Sequence, residues 1–196
     1  MIRLGVLGST NGTDLQVILD AIHSKRLISK VSVVVSNKKN AFILERAKKN
    51  KIPYYYISHK NIDRETFDGR ITNMLKKHSV DLVLLIGFMR ILSKSFCLEW
   101  KRKILNVHPS LLPKYAGGMD TNVHEEVLKN KDKETGCTIH FVTNELDQGP
   151  IFIQKRCTVD PDESVLSLKR KVQVLEGEAF LEAIPLFENK YVLKNE

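Results

Sequence analysis

A chain of 196 residues, 42% hydrophobic and 28% charged, is sized for one domain or two tightly joined halves around a sizeable core. No apolar run is long enough to span a bilayer, Met1 to Gly8 is too short and glycine-punctuated for a signal peptide, and three cysteines (Cys97, Cys137, Cys157) have neither metal spacing nor a Cys-x-x-Cys pair. The net charge of +8, from 31 basic and 23 acidic residues, favours anionic partners, but the basic clusters lack the interleaved aromatics of a base-stacking platform. The expectation is a cytoplasmic protein with buried free thiols, no metal, no nucleic acid and no membrane partner.

Residues 2 to 7 are an apolar, β-rich run ending at Gly8, and from Thr13 onward Leu15, Ile18, Leu19 and Ile22 repeat at helical spacing. A second buried strand is expected over 31–36, a lysine-rich helix over 41–50, and a third strand over 54–57 after Pro53. A helix over 64–77 turns Phe67, Ile71, Met74 and Leu75 inward, and 81–87 is a continuous apolar strand of the fully buried kind. Alternation at this spacing predicts a parallel sheet with right-handed crossovers. Beyond it come a short helix near 94–100, a strand over 103–107, a helix over 123–130, and strands over 138–142 and 151–159 joined by an ordered turn. A long helix over 163–188, opening at Asp162-Glu163-Ser164, closes the chain. The predicted fold is α/β, a Rossmann-like, mostly parallel central sheet flanked by helices with a closing C-terminal helix. With no repeat or linker, 1–196 reads as one domain, a Rossmann-like half to about residue 100 and a catalytic half after it.

Three segments carry chemistry. Gly8-Ser9-Thr10-Asn11-Gly12-Thr13 lies between the first strand and first helix, where free backbone N–H groups and the helix dipole hold an anion. It lacks the dinucleotide and Walker patterns, so a monophosphate fits it better. Gly87-Phe88-Met89-Arg90-Ile91-Leu92 ends the buried strand with an apolar lip and one cation, suited to a flat heterocycle with polar edges. In the run from Ile104 to Lys114, Asn106 and His108 are two apart on an extended segment and leave the same face. Pro109 stops a helix there and biases His108 to extended backbone, which presents an amide and an imidazole together at a strand's carboxyl end.

Together these segments resemble the phosphoribosylglycinamide formyltransferases, the folate-dependent enzymes of purine synthesis. The likeness rests on Phe88-Met89-Arg90-Ile91-Leu92, on Asn106-Val107-His108-Pro109-Ser110-Leu111-Leu112-Pro113-Lys114-Tyr115, and on His140-Phe141-Val142-Thr143 with Glu145-Leu146-Asp147, in family order over nearly the whole chain. It implies a catalytic trio of Asn106, His108 and Asp147 with His140 in support. It also implies ribonucleotide contacts at Gly12, Thr13, Asp14, Gln173 and Glu176, and folate contacts at Arg64, Met89, Arg90, Ile91, Leu92 and Asn106. The implied co-substrate is 10-formyltetrahydrofolate and the acceptor glycinamide ribonucleotide, handled by a monomer or homodimer without metal. Two positions depart from the family: Asp14 stands where Asn is usual, and the loop 116–122 is longer and lacks Pro-Gly.

The implied reaction adds an amine to a formyl carbon, and the oxyanion that develops needs preorganised donors. Asn106 can supply one and a protonated His108 another, with Asp147 expected to favour the imidazolium. No covalent intermediate is required, since no cysteine lies in these motifs and Ser110 has no base other than His108. Two related formyl-folate enzymes share the His-Pro-Ser-Leu-Leu-Pro region. One formylates initiator methionyl-tRNA and usually adds a carboxyl-terminal domain; the other hydrolyses formyltetrahydrofolate and usually adds an amino-terminal one. The start of the first strand at Ile2 and the end at Glu196 weigh against both as an expectation. A basic nucleotide- or RNA-binding module would explain the charge but not Asn106, His108 and Asp147 in register.

Overall fold

The computed structural model describes residues 1–118 and 121–192, with no side chain described for Val192. The chain runs β1 (Ile2–Leu7), α1 (Thr13–His23), β2 (Ser29–Ser36), α2 (Phe42–Lys49), β3 (Tyr54–Tyr56), α3 (Arg64–Lys77) and β4 (Leu82–Leu85). It continues through α4 (Lys94–Glu99), β5 (Ile104–His108), α5 (Thr121–Lys129), β6 (Glu134–Phe141), β7 (Ile151–Thr158) and α6 (Val165–Phe187). The strands make a seven-stranded sheet in the order β3-β2-β1-β4-β5-β6-β7. Pairing is parallel from β3 to β5 and antiparallel on to β6 and β7.

The central strands bury both faces because their apolar residues are continuous rather than alternating with polar ones. Leu82 and Leu84 of β4 join the core with α1 and α6, where Leu15, Ile18, Phe180 and Ala183 are buried. Val83 and Leu85 point the other way, onto Phe67, Ile71 and Leu75 of α3 and Phe96 and Trp100 beside them. Period-two alternation in one strand thus feeds two helical layers. Helix α6 opens at Ser164, whose hydroxyl accepts from the Ser167 amide while the Ser167 hydroxyl accepts from the Ser164 amide.

Several element limits differ from expectation, and three of them shape the sheet around the site. Strand β6 begins at Glu134, well before 138, although Gly136 reads as a breaker. Gly136 is there because β7 passes close: a Cβ would lie 1.8 Å from the Lys155 carbonyl oxygen. Strand β4 stops at Leu85 because Gly87 adopts φ 58° and turns the chain. Strand β5 runs one residue further than expected, so His108 is its last residue. The expectation of three buried thiols also needs correction, since Cys157 on the edge strand β7 is only half-buried.

Sheet order reverses between β1 and β4, which run side by side while their following helices lie on opposite faces. Such a switch point opens a crevice at the strands' carboxyl ends.

Candidate active site

A cleft of about 850 Å³ occupies this switch point, within the range of small-molecule sites. One wall is the turn after β1, made possible by Gly12 in the left-handed region at φ 64°. Another is the segment after β4, and the two are tied together: the Ser9 hydroxyl accepts from the Met89 amide at 2.9 Å and donates to Asn37 Oδ1 at 2.6 Å. The floor is the end of β5, and α6 closes the side.

At the floor, Asn106 pairs directly with His140 across the antiparallel β5–β6 ladder. That register brings Asn106 Nδ2 to 3.1 Å from His140 Nε2. His140 Nδ1 donates to the Phe141 carbonyl at 3.1 Å; in that tautomer Nε2 accepts from the Asn106 amide and leaves its second N–H for the cleft. A bulge between Ile139 and His140, where β6 meets β7, aims this ring. Two residues along β5, His108 Nε2 donates to the Tyr115 carbonyl at 3.0 Å and Nδ1 lies 3.3 Å from Asp147 Oδ2. Asp147 Oδ2 also accepts from the Gly117 amide at 2.9 Å, while Oδ1 is 3.5 Å from His140 Nε2. Asp147 reaches in from the turn after β6 with a left-handed backbone, φ 54°, which aspartate tolerates better than bulkier residues.

The proline-bracketed loop after β5 is held from below. Thr138 Oγ1 donates to the Ser110 carbonyl at 2.7 Å and accepts from the Leu112 amide at 3.0 Å, and Gln154 Nε2 donates to the Leu112 carbonyl at 2.9 Å. Ser110 donates its hydroxyl to the Lys114 carbonyl at 2.5 Å, so it is engaged in the loop rather than by His108.

Burial pushes the His108 imidazole below its ordinary value; the Asp147 charge and the Tyr115 carbonyl pull upward without overcoming it. This corrects the expectation that Asp147 lifts His108 above a free histidine. The pull exists, but a ring only 3% exposed loses more by desolvation. For Asp147, burial alone would raise the carboxyl, yet the contact with His140, the Gly117 amide and the charge of His108 outweigh it and hold the group below the usual carboxylate range.

The cleft wall gathers Gly12, Thr13, Asp14, Met89, Arg90, Ile91, Leu92, Asn106, His108, His140, Asp147, Gln173 and Glu176. Arg64 stands apart: it is exposed in the first turn of α3 and lies outside that wall. Of the longer loop 116–122, Met119 and Asp120 lie outside the described residues. Two wall residues escaped the sequence reading, Lys169 of α6 and His124 of α5. Lys169 had a usable signal, since 169, 173 and 176 follow an i, i+4, i+7 stripe on one helix face. His124 had none, because a histidine in a nine-residue helix carries no mark of which side it faces. Among the described residues, no group of three or more His, Cys, Asp or Glu side chains could hold a metal ion.

A doubly wound sheet whose switch-point cleft ends in an Asn–His–Asp cluster, with a helix-opening turn beside it, is the class of α/β fold and site suited to acyl transfer chemistry. Residues 2–184 match the formyl transferase family model. The chain is 38% identical to the phosphoribosylglycinamide formyltransferase of Haemophilus influenzae, over 100% of this chain and 92% of that one. It is 42% identical, over 99% of its length, to the trifunctional purine biosynthetic protein adenosine-3 of Chironomus tentans, but spans only 14% of that relative. A solved structure, glycinamide ribonucleotide transformylase 1 from Symbiobacterium toebii, superposes with a TM-score of 0.91 at 37% identity, covering 96% of this chain and 88% of the other. The chain belongs to the phosphoribosylglycinamide formyltransferase family.

Proposed function

We propose that this chain transfers the formyl group of 10-formyltetrahydrofolate to the amine of glycinamide ribonucleotide, in purine biosynthesis, as one formyltransferase domain of the cytoplasm. The observation that carries the reading is the cluster of Asn106, His108, His140 and Asp147 at the floor of a cleft whose far end is the turn into α1, with backbone amides that lack a helical partner. When bound, the folate supplies an activated formyl group. The residues present fit it: beside the apolar Met89 and Ile91, the Arg90 guanidinium sits 4.7 Å over the Phe67 ring with its Nε buried and without a partner. That orphaned donor suits the polar edge of a heterocycle.

Each residue of the chain then has a task. Asn106 presents an amide N–H toward the position where charge develops on the formyl oxygen, and His140 fixes which way that amide points. His108 rests neutral. A proton arriving from the attacking amine makes it an imidazolium, and in that form both ring nitrogens are donors with acceptors already in place, Tyr115 and Asp147. As the formyl carbon–N10 bond breaks, His108 gives a proton from Nε2 to the departing folate nitrogen, once the Tyr115 contact is exchanged for substrate. Asp147, held ionised, keeps the positive ring beside the developing oxyanion.

The test is an assay of formyl transfer with glycinamide ribonucleotide as acceptor and water as the alternative. Transfer to the ribonucleotide amine in excess over hydrolysis is the expected result; hydrolysis alone would move the chain to a deformylase role.

A further inference from the structure

The ribonucleotide end of the cleft contains a buried acid, Asp14, one oxygen of which has no hydrogen-bond partner among the described residues. Asp14 sits in the first turn of α1, is 5% exposed, and its Oδ1 is buried with no hydrogen-bond partner. It does not cap the helix, because the N-cap is Gly12 and no side chain caps that end. Asp14 nevertheless lines the cleft, so a ligand seated there can offer its carboxyl the partner that the described residues do not. A buried carboxylate without partners is far costlier than the neutral acid, which needs only to place one proton.

The surroundings say what ligand. The first intrahelical bond of α1 runs from the Gln16 amide to the Gly12 carbonyl at 3.3 Å, so the amides of Thr13, Asp14 and Leu15 have no helical partner. Three N–H groups at a helix start form an anion site. A dianionic phosphate there would repel an ionised Asp14 but would accept a hydrogen bond from a protonated one. Resting on the reading of a ribonucleotide substrate, we infer that Asp14 recognises its phosphate as a carboxylic acid, donating its own proton to a phosphate oxygen beside the α1 amides. A carboxylic acid kept neutral by a dry site so that it can donate is a known device of binding pockets.

Burial raises the Asp14 carboxyl to about 7 in the free protein. The other titratable groups at this end of the cleft are Glu176 and Lys169 of α6, His124 of α5 and, behind the wall, Cys137 of β6, with Arg46 of α2 bonded to the Asn11 carbonyl. Glu176 and Asp14 both act on the Cys137 thiol, which burial and these two carboxyls push upward. Lys169 brings the positive charge that a phosphate also needs. An arriving dianion adds negative charge next to Asp14 and so stabilises its protonated form further.

Asp14→Asn keeps the shape and a donor but removes the titration. Calorimetry with glycinamide ribonucleotide and with ribose 5-phosphate from pH 6 to 9 reads the effect, and the phosphate's own ionisation cancels between the two proteins. The expected ratio of wild-type to variant Kd is close to one at pH 6 and climbs roughly tenfold per pH unit once Asp14 ionises. A ratio that stays flat across this range overturns the inference. A measurement on the wild type alone guards against a variant that does not fold: repeating the titration at pH 8 in buffers of different ionisation enthalpy should reveal uptake of about one proton on binding. No proton uptake overturns the inference as surely as a flat ratio. Should ribose 5-phosphate bind with this pH dependence while glycinamide ribonucleotide accepts no formyl group, the substrate reading fails and the role of Asp14 as a phosphate donor is supported.

Discussion

The two ends of the cleft are built on opposite principles. At the floor, the side chains proposed to react already have partners: His108 has an acceptor at each ring nitrogen, Asp147 has contacts at both oxygens, and Asn106 is oriented by His140. At the end proposed for the phosphate, α1 begins with amides that lack a helical partner, and Asp14 buries an oxygen with no partner among the described residues. Catalytic groups gain from being fixed in advance, because preorganised dipoles need no rearrangement as charge develops. A binding end gains from unmet polar groups, because the ligand then completes hydrogen bonds that the free protein lacks.

The largest effects are expected at the floor. Asn106→Ala removes a donor and strands the acceptor nitrogen of His140, so turnover should fall by about 10²–10³ with little change in ribonucleotide affinity. His108→Ala should do the same. Steady-state kinetics of both variants decide: turnover near wild type in each would remove this pair from the chemistry.

Asp147→Asn should come next, with turnover lowered on the order of 10²-fold. It should also move the pH profile in a defined direction. Burial lowers the His108 value and the Asp147 charge is the largest influence opposing it. Removing that charge lets the value fall further, so the limb governed by His108 should shift toward acid, as an apparent value of the coupled His108–Asp147 pair. A profile with an unmoved limb would leave Asp147 as a turn residue. Acid should act on the wild type through the same pair: Asp147 is held below the usual carboxylate range, so its charge persists until the pH falls through that lowered value.

A third change addresses the phosphate end. Gly12→Val places a Cβ 2.4 Å from Ile43 Cγ1 on a backbone at φ 64°, which a β-branched residue rarely adopts. Crowding of this kind costs about 1–3 kcal/mol, and the turn that presents the α1 amides should deform. The expected signature is a lower Tm and a raised KM for ribonucleotide, with kcat at saturation changed far less. Equal loss of kcat and affinity would mean that the two ends are not separable.

How much of this was legible follows from what periodicity and spacing can encode. The alternating strands and helices were legible because the buried runs of β1, β2 and β4 and the apolar stripes of α1 and α3 are local patterns. The shared face of Asn106 and His108 was legible from a spacing of two. His140 opposite Asn106 was not, because cross-strand register is set by pairing between segments far apart in the chain. Gly136 misled for the same reason, its cause being the approach of β7. The isolation of Asp14 Oδ1 was also out of reach, since a carboxyl's missing partners are a property of the packed neighbourhood. Asp147 could be placed in a turn, and only the family motif gave it a task. His108 went in the wrong direction because the sequence shows the opposing charge but not the depth of burial.

The smallest effect is expected at Arg64, and it sharpens the contrast by testing where the cleft ends. The family likeness makes Arg64 a folate contact, but its side chain is exposed at the start of α3, outside the wall that holds Arg90. An exposed cation contributes little to a bound anion, about 0–1 kcal/mol, because water and salt screen it. Arg64→Ala should therefore raise the KM for formyl folate by no more than about fivefold, an effect that shrinks as ionic strength rises, while kcat holds. Arg90→Ala removes the partnerless buried donor stacked on Phe67 and should weaken folate more, with weaker dependence on salt. Folate affinity by fluorescence at low and high salt separates the two. If Arg64→Ala proved as damaging as Arg90→Ala and equally insensitive to salt, the folate site would have to extend over the start of α3, and the boundary of the cleft drawn here would be too narrow.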